Sequence, residues 1–292
     1  MAVVERAPVG SAERAAYAGA ALVPGMPQLL TRGEAAPSWR ALADAARGVG
    51  DDLRAARPDA LVVLSTQWFT VLGHQLQMEP RVSGRRVDEN WYAYDYGTLH
   101  YDIQIDTDLS ERWATEIEGE GEQARRTRYE GFPVDTGVIV AQSLLDPAGS
   151  LPLALVSCNL YADAETIGLL SRTALRAAAA LGRRIAVVAV SGLSSGLTQR
   201  WIQPHEDAIE MPGHERWDRR VLELLEEGRL EEAMGLSDEY ARGAQADSQF
   251  RGLAFLAGTG LLGGRADVRA YGPIWGTGAA VVHWPDTRSE PA

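Results

Sequence analysis

Three short apolar runs constrain the fold of this chain more than any other feature of its sequence. They span Asp59–Ser65, Leu151–Ser157 and Ile185–Ser191. Apolar runs of this length, bounded by polar residues, are typical of strands buried on both faces of a sheet. An amphipathic helix is predicted over Ala164–Gly182, between the second and third runs. Because strand–helix–strand segments connect parallel strands, the sequence predicts an α/β fold with a mostly parallel central sheet flanked by helices.

The remaining periodic segments continue this alternation. Two more strands are predicted at Ala20–Pro24 and Ala279–Trp284, and three more helices at Leu42–Ala56, Glu215–Glu227 and Ala246–Leu262. The polar segments Val82–Asp95 and Glu118–Arg128 are predicted to leave the sheet. No repeat or linker divides the 292 residues, and this length suits one large core. We therefore predict a single domain over residues 19–284, with an N-terminal extension at 1–18 and a tail at 285–292.

Composition excludes several classes of function. The formal net charge is −12, and all 28 basic residues are arginines that form no basic stripe, so nucleic-acid binding is not expected. Cys158 is the one cysteine, which excludes an intrachain disulfide and a cysteine-based metal site. No apolar run reaches the roughly 20 residues that span a bilayer, and the first residues do not resemble a signal peptide. We expect a cytoplasmic protein with no membrane partner.

The loops after the predicted strands are where ligands gather in open α/β sheets. Four such loops are Pro24–Pro27, Ser65–Phe69, Ser157–Asn159 and Ser191–Gly196. They contain small and hydrogen-bonding residues but no histidine, aspartate or glutamate. A pocket at this edge is therefore expected to bind through hydrogen bonds and to lack an obvious general base or metal ligand.

One of these loops has the spacing of a nucleophile elbow. Gly192-Leu193-Ser194-Ser195-Gly196 follows a strand, as the Gly-x-Ser-x-Gly motif requires. That motif also needs a helix directly after it, which the sequence does not indicate, and a late histidine, for which His283 is the one candidate. A tight turn of small residues is the favoured interpretation, and a nucleophile is the alternative.

Several segments match, in chain order, the motifs of a known family. Ser65-Thr66-Gln67-Trp68-Phe69 is similar to Ser-x-His-Trp, Val134-Asp135-Thr136-Gly137 to Asp-His-Gly, and Ser191-Gly192-Leu193-Ser194-Ser195 to Gly-Leu-Ser-His. Tyr94–Gly97 with Tyr101–Ile103 is similar to Asp-Tyr-x-Gly-Phe-Pro and the strand after it, and Pro152–Ser157 to a Pro-Val-x-x-x-Ser strand. Taken together, these matches extend from about Gly19 to Trp284, and over this length the chain resembles the class III extradiol ring-cleaving dioxygenases (LigB-type).

The resemblance implies an iron site whose ligands this chain lacks. The family holds a non-haem Fe(II) with two histidines and one glutamate. The matching positions here are Gly25, Gln67 and Gln249. The histidines of Gly-Leu-Ser-His and Asp-His-Gly are replaced by Ser195 and Thr136. We therefore expect no catalytic residue, metal ligand or cofactor in this chain.

The resemblance also implies a role beside a catalytic partner. Some aminophenol-cleaving members of the family pair an iron-bearing subunit with a homologous subunit that lacks the ligands. The leading hypothesis is such a non-catalytic subunit, acting with its Fe(II)-bearing partner on a catechol- or aminophenol-type ring. We expect it to stabilise that partner in a hetero-oligomer, using the aromatic segment Trp91–Tyr101.

Two alternatives remain at this point. A stand-alone, metal-independent enzyme or small-aromatic-binding protein would use the same crevice, with His283 or Asp135 for proton transfer. The residues expected to line that crevice are Gln67, Trp68, Asn159, Ser194, Ser195 and Gln249. The other alternative is a binding or scaffold protein without any link to ring cleavage.

Overall fold

A computed structural model of the chain describes residues 9–87, 98–132 and 134–286. Its strands are β1 (Tyr17–Val23), β2 (Ala60–Thr70), β3 (His74–Gln77), β4 (Arg81–Arg86), β5 (Leu99–Gln104), β6 (Ala124–Thr127), β7 (Leu153–Asn159), β8 (Ile185–Val190), β9 (Asp267–Ile274) and β10 (Thr277–Trp284). Its helices are α1 (Ser11–Ala16), α2 (Gln28–Thr31), α3 (Pro37–Ala55), α4 (Thr107–Gly119), α5 (Thr136–Leu145), α6 (Ala164–Ala180), α7 (His214–Glu226), α8 (Leu230–Gly235), α9 (Ser237–Ala244) and α10 (Arg251–Ala257).

The main sheet has eight strands in the order β6-β3-β7-β2-β8-β1-β10-β9. Its centre, β7-β2-β8-β1, is parallel throughout. Strands β3 and β10 join this centre in antiparallel pairs on either side. The predicted mostly parallel α/β sheet is thus confirmed, and the carboxyl ends of its four central strands lie along one edge.

Apolar helix faces cover both sides of this sheet. Trp113 of α4, Leu170 of α6 and Leu253 of α10 are buried in one core cluster. Trp39 of α3 and Val138 of α5 are buried in the cluster on the opposite side. The central strands are buried on both faces because each of their sides packs against one of these clusters.

Helix α3 begins earlier than the predicted Leu42, at Pro37. Proline suits the first turn of a helix because its fixed φ is helical and its missing N–H would have no partner there. The helix ends before Arg57, which has a φ of 54°, and Pro58 follows. Within residues 9–87, 98–132 and 134–286, no helix is both long and apolar enough to cross a membrane.

Two sequence-based assignments are wrong. The predicted helix over Ala246–Leu262 is instead a 3-10 turn at Asp247–Phe250 followed by the short α10. The segment Glu118–Arg128 does not leave the sheet, because β6 pairs in parallel with β3 and forms its edge. Its two consecutive arginines, Arg125 and Arg126, are both exposed, which suits an edge strand and leaves no buried apolar run to indicate a strand in the sequence.

The predicted excursion at Val82–Asp95 is confirmed for its described part. Among the described residues, strand β4 pairs only with β5, in a separate two-stranded antiparallel sheet. Residues 88–97 lie outside the described part, and with them most of the aromatic segment Trp91–Tyr101 and the motif Tyr94–Gly97. The predicted tail lies outside it from residue 287 onward.

Candidate functional site

A wide bulge in β2 shapes the carboxyl edge of the sheet. The ladder between β2 and β7 pairs Ser65 with Ser157 and then Phe69 with Cys158. Thr66, Gln67 and Trp68 therefore have no partner on β7. Bulges free a strand from its ladder and redirect its side chains, so these three residues turn towards the loops that follow the neighbouring strands.

A cavity of about 610 Å³ lies at this edge. The loop after β1, the bulge of β2, the turn after β8 and the β9–β10 turn contribute its walls. Apolar lining comes from Pro24, Met26, Pro27, Leu197, Trp275 and Ala279, and polar lining from Gln28, Thr66, Gln67, Thr136, Ser191, Ser194, Ser195, Thr198, Asp247 and Thr277. Polar residues outnumber apolar ones in this lining, but most of the surface that these residues expose to the cavity is apolar, which is typical of small-molecule sites.

Gly25 and Gln67, at two of the family's ligand positions, contact each other. The Gln67 amide Nε2 donates to the Gly25 carbonyl oxygen at 3.0 Å. A Cβ atom at Gly25 would lie 2.5 Å from the Gly137 Cα and 2.6 Å from the Val190 Cγ1. Real Cβ atoms do not approach backbone this closely, so a histidine at position 25 would require the α5 N-terminus to move.

Gln249, at the third ligand position, does not join them. It is exposed, it does not line the cavity, and its Oε1 accepts from the Arg251 Nη2 at 3.2 Å. The buried Arg251 guanidinium also donates to the carbonyl oxygens of Leu160 and Ala162. The structure thus brings Gly25 and Gln67 together but leaves Gln249 outside the cavity.

Asp247 places a carboxylate on the cavity wall, although none of the four loops after the predicted strands contains an acidic residue. Its Oδ2 accepts from the Thr66 hydroxyl at 2.8 Å, the Ser191 hydroxyl at 3.0 Å and the Gly192 N–H at 2.7 Å. The Asp247 N–H donates to the Leu193 carbonyl oxygen at 2.7 Å. These bonds tie the segment before α10 to the ends of β2 and β8.

The backbone beside Asp247 is left-handed over three consecutive residues. Ser248, Gln249 and Phe250 have φ values of 45°, 55° and 66°. This conformation costs roughly 1–2 kcal/mol per residue for side chains with a Cβ. The hydrogen bonds of Asp247 offset that cost, which is the physical reason why a segment with helical periodicity does not continue as a helix here.

A second carboxylate, Asp218 of α7, holds the same turn from behind. It is fully buried and accepts from the Ser194 N–H at 3.1 Å and the Ser194 hydroxyl at 2.8 Å. The hydroxyls of Tyr240 and Tyr271 donate to it at 2.7 and 2.9 Å. Burial raises the pKa of Asp218 in spite of these four donors. The Ser194 hydroxyl therefore donates its hydrogen bond to a carboxylate and not to a histidine, so the elbow-like spacing forms a structural turn.

The two residues considered for proton transfer, Asp135 and His283, both lie away from the cavity. Asp135 caps the N-terminus of α5, accepting from Val138 N–H and the Ser65 hydroxyl, and burial raises its pKa. His283 lies on β10, with its Nδ1 3.8 Å from the Asp52 Oδ2, and neither His283 nor Asp135 lines the cavity. The proposed proton-transfer role of these two residues therefore has no support from their positions.

Three of the residues expected to line the crevice do so, namely Gln67, Ser194 and Ser195, and Thr136 joins them. Trp68 packs instead on Phe132, with ring centroids 5.7 Å apart. Asn159 accepts from the Tyr161 N–H at the end of β7. Cys158 is buried, and burial raises the pKa of its thiol to about 12, which is unfavourable for a nucleophile.

The donor set at this edge does not fit the family's Fe(II) site. In the described ranges 9–87, 98–132 and 134–286, no group of three histidine, cysteine, aspartate or glutamate side chains is placed to hold a metal ion. Asp247 is the one carboxylate on the cavity wall among the described residues, and its Oδ2 is already bonded to three donors. Glycine and glutamine at positions 25 and 67 offer neither imidazole nor carboxylate.

Comparison with known proteins identifies the family of this chain. Residues 20–282 match the family described as the catalytic LigB subunit of aromatic ring-opening dioxygenase. The chain is 36% identical over 266 residues to the 2-aminophenol 1,6-dioxygenase alpha subunit of a Pseudomonas species, covering 90% of this chain and 97% of that one. It is 28% identical over 262 residues to the beta subunit from Pseudomonas, covering 84% of each.

A solved structure shares the fold. An uncharacterized protein of Escherichia coli K12 superposes with a TM-score of 0.64 at 16% identity, over 91% of this chain and 99% of that one. An identity this low supports the fold alone, whereas the family match covers most of the chain. The chain therefore belongs to the LigB family of extradiol, aromatic ring-opening dioxygenase subunits.

Proposed function

We propose that this chain is the non-catalytic subunit of a hetero-oligomeric extradiol dioxygenase. Its partner is a homologous subunit that carries the two histidines and the glutamate for Fe(II), and the complex opens a catechol- or aminophenol-type ring. This chain stabilises that partner and contributes no ligand or proton-transfer group to the reaction.

The observation that carries the proposal is the contact between Gly25 and Gln67. The Gln67 amide is hydrogen-bonded to the Gly25 carbonyl, and the α5 backbone at Gly137 fills the space that a side chain at position 25 would need. The loss of the ligands is thus accompanied by packing that suits the replacements. A site that had merely lost one ligand would leave the others in place and the space between them open.

The relatives support the same proposal. Proteins named as the alpha and the beta subunit of one 2-aminophenol dioxygenase both align with most of this chain. Two similar chains in one enzyme fit a division of labour in which only one keeps the metal site. The greater identity is with the protein named alpha subunit.

The test begins with the chain purified alone after expression in iron-supplemented cells. We expect far less than one iron per chain by mass spectrometry, and no ring opening of 2-aminophenol or catechol in an absorbance assay. The chain is then co-expressed with the family member of the same genome that has histidines at the equivalents of 25 and 67 and glutamate at the equivalent of 249. We expect a stable complex in which the half-life of the partner's activity at 37 °C is prolonged. One iron per isolated chain together with turnover would overturn the proposal.

The cavity itself favours a second candidate, a small-aromatic-binding protein. Its volume of about 610 Å³ has ample room for a small aromatic molecule, and Trp275 and Leu197 offer apolar contacts to a ring. Calorimetric titration of the isolated chain with 2-aminophenol and catechol distinguishes the two. Saturable binding that Thr136→Trp abolishes, with no complex formed with a family member, would favour this second function.

A further inference from the structure

A buried arginine beside position 249 has no acidic partner. Arg251 begins α10, and only 6% of its surface is exposed. Its guanidinium donates to the carbonyl oxygens of Leu160, Ala162 and Ser248 at 2.6, 2.9 and 2.9 Å. The Gln249 Oε1 accepts a further bond at 3.2 Å. Among the described residues, no aspartate or glutamate oxygen lies within 4.0 Å of this guanidinium, although buried charges are usually paired.

The bonds of Arg251 fasten one end of the segment before α10, residues 247–250, to the loop after β7. Leu160 and Ala162 belong to that loop, because β7 ends at Asn159. At the other end of the segment, Asp247 accepts from the bulge of β2 and from the turn after β8. Between these two anchors the backbone is left-handed at three residues, and position 249 is exposed and outside the cavity.

Hydrogen bonds in this chain join the parts of the fold that a metal would join. A metal held by side chains at positions 25, 67 and 249 would connect the loop after β1, the bulge of β2 and the segment 247–250. Here the Gln67 amide bonds the bulge to the Gly25 carbonyl, and the Thr66 hydroxyl bonds it to Asp247. Bound metals stabilise a fold by making such connections, which this chain makes through hydrogen bonds instead.

We propose that Arg251 and Asp247 are positioning residues that hold position 249 outside the cavity, so that restoring the ligand residues would not rebuild a metal site. A glutamate at position 249 would meet the Arg251 guanidinium, whose Nη2 lies 3.2 Å from the present amide oxygen. A carboxylate binds arginine more tightly than an amide does, because both partners are charged and the pairing can be bidentate. The change would therefore strengthen the contact that keeps this side chain out. The inference goes beyond the proposed function, since it concerns the isolated chain and needs no partner.

Titration of cobalt(II) into the isolated full chain tests whether position 249 reaches the cavity. Gln67→His supplies one imidazole on the cavity wall, and Gln67→His/Gln249→Glu adds the carboxylate. Gly25 is left unchanged, because a side chain there would displace the N-terminus of α5. We expect the two variants to bind cobalt(II) equally weakly, within twofold by calorimetry. Tenfold tighter binding by the variant with glutamate would overturn the inference, while the proposed function would still be judged on the iron content of the wild-type chain.

The same pair of variants in an Arg251→Met background tests the role of the arginine. Methionine keeps an unbranched side chain but has no N–H donor, so the segment 247–250 loses its bonds to the loop after β7. We expect the glutamate to tighten cobalt(II) binding at least tenfold in this background. If the variants fold, as judged by thermal unfolding, and the glutamate brings no gain, Arg251 does not hold the segment and the inference is wrong.

Thermal unfolding of Gln249→Glu is a readout that needs neither a metal nor the Arg251→Met background. Pairing with Arg251 should raise the Tm at pH 7 above that of Gln199→Glu, which adds the same charge at another exposed glutamine. Pairing lowers the folded-state pKa of the glutamate below its unfolded value, so this gain should disappear as the pH falls through about 4. A Tm no higher than that of Gln199→Glu would show that Arg251 does not capture the carboxylate and would overturn the inference.

Discussion

Two carboxylates, Asp218 and Asp247, hold the turn after β8 from opposite sides. Asp218 bonds to Ser194 from within the protein and has no access to solvent. Asp247 bonds to Ser191 and Gly192 from the cavity side and is half-buried. Both are aspartates that accept several hydrogen bonds, but Asp218 lies in the packed interior of the protein whereas Asp247 borders an open cavity.

The difference shows which of the two is fixed by the fold. Asp218 has no exposed surface, and its donors Ser194 and Tyr240 are almost fully buried, whereas its third donor residue, Tyr271, is half-buried. Water can enter the cavity beside Asp247 and replace a lost bond. We therefore expect the turn to depend on Asp218 for its stability, whereas Asp247 mainly shapes the cavity wall and the segment before α10.

The largest expected effect is that of Asp218→Ala. The substitution leaves the buried donors of Ser194 and Tyr240 without an acceptor and removes the acceptor of the half-buried Tyr271 hydroxyl, which costs about 3–5 kcal/mol of unfolding free energy. Asp247→Ala is the matched change and is expected to cost about 1–2 kcal/mol because water can reach its donors. Urea unfolding followed by circular dichroism measures both. Equal losses would show that the two carboxylates do not differ in the way we describe.

Glycine-to-alanine substitutions beside each carboxylate test the same difference by steric overlap instead of by removal of a charge. A Cβ at Gly278 would overlap the Asp218 Oδ2 and lie 2.7 Å from the Ser194 Oγ. A Cβ at Gly192 would lie 3.6 Å from the Asp247 Oδ2, an ordinary contact. We expect Gly278→Ala to destabilise the protein by about 2–3 kcal/mol and Gly192→Ala by less than about 1 kcal/mol. Comparable Tm values for the two variants would contradict this prediction.

The two carboxylates also mark how far the sequence could predict the site. The central strands were recognisable because burial on both faces leaves a continuous apolar run, as in Ile185–Ser191. Gly25 and Gln67 were found through motifs on those strands. Asp247 was missed because it begins a segment with helical periodicity, Ala246–Leu262, whose left-handed start is imposed by tertiary hydrogen bonds.

Asp218 was hidden for a different reason. On the polar-rich helix α7 it resembles its acidic neighbours Glu215 and Glu223, which are exposed and paired with arginines. Only the packing of α9 and β9 against α7 buries Asp218 and brings two tyrosines to it. A sequence records the residue type at such a position but not the elements that later cover it.

The pH dependence of stability gives a third test. Burial raises the folded-state pKa of Asp218, so the unfolded chain releases its proton at lower pH than the folded chain. As pH rises above the ordinary aspartate range, the wild-type protein should therefore lose stability relative to Asp218→Asn, by at most about 1.4 kcal/mol per pH unit for one proton. The loss ends once the raised pKa is passed. Asp135 has a raised pKa as well, but it is present in both proteins and cancels in the difference.

Urea unfolding of the two proteins between pH 4 and 8 measures this difference. A wild-type stability that instead rises with pH relative to Asp218→Asn would mean that the four donors outweigh burial and lower the pKa. Asp247→Asn, measured over the same range, is the control for removing a carboxylate from the other side of the turn.

The smallest expected difference is between the two serines that donate to these carboxylates. Ser194→Ala removes a buried donor to Asp218 and also an acceptor for the Gly278 N–H, which bonds to the Ser194 Oγ at 3.1 Å. Ser191→Ala removes one of three donors to the solvent-accessible Asp247. We expect losses of about 1–2 kcal/mol and about 0.5 kcal/mol respectively. In a double-mutant cycle with Asp218→Asn and Asp247→Asn, the coupling to Ser194 should exceed that to Ser191, because a hydrogen bond without access to water has no substitute when one partner is removed.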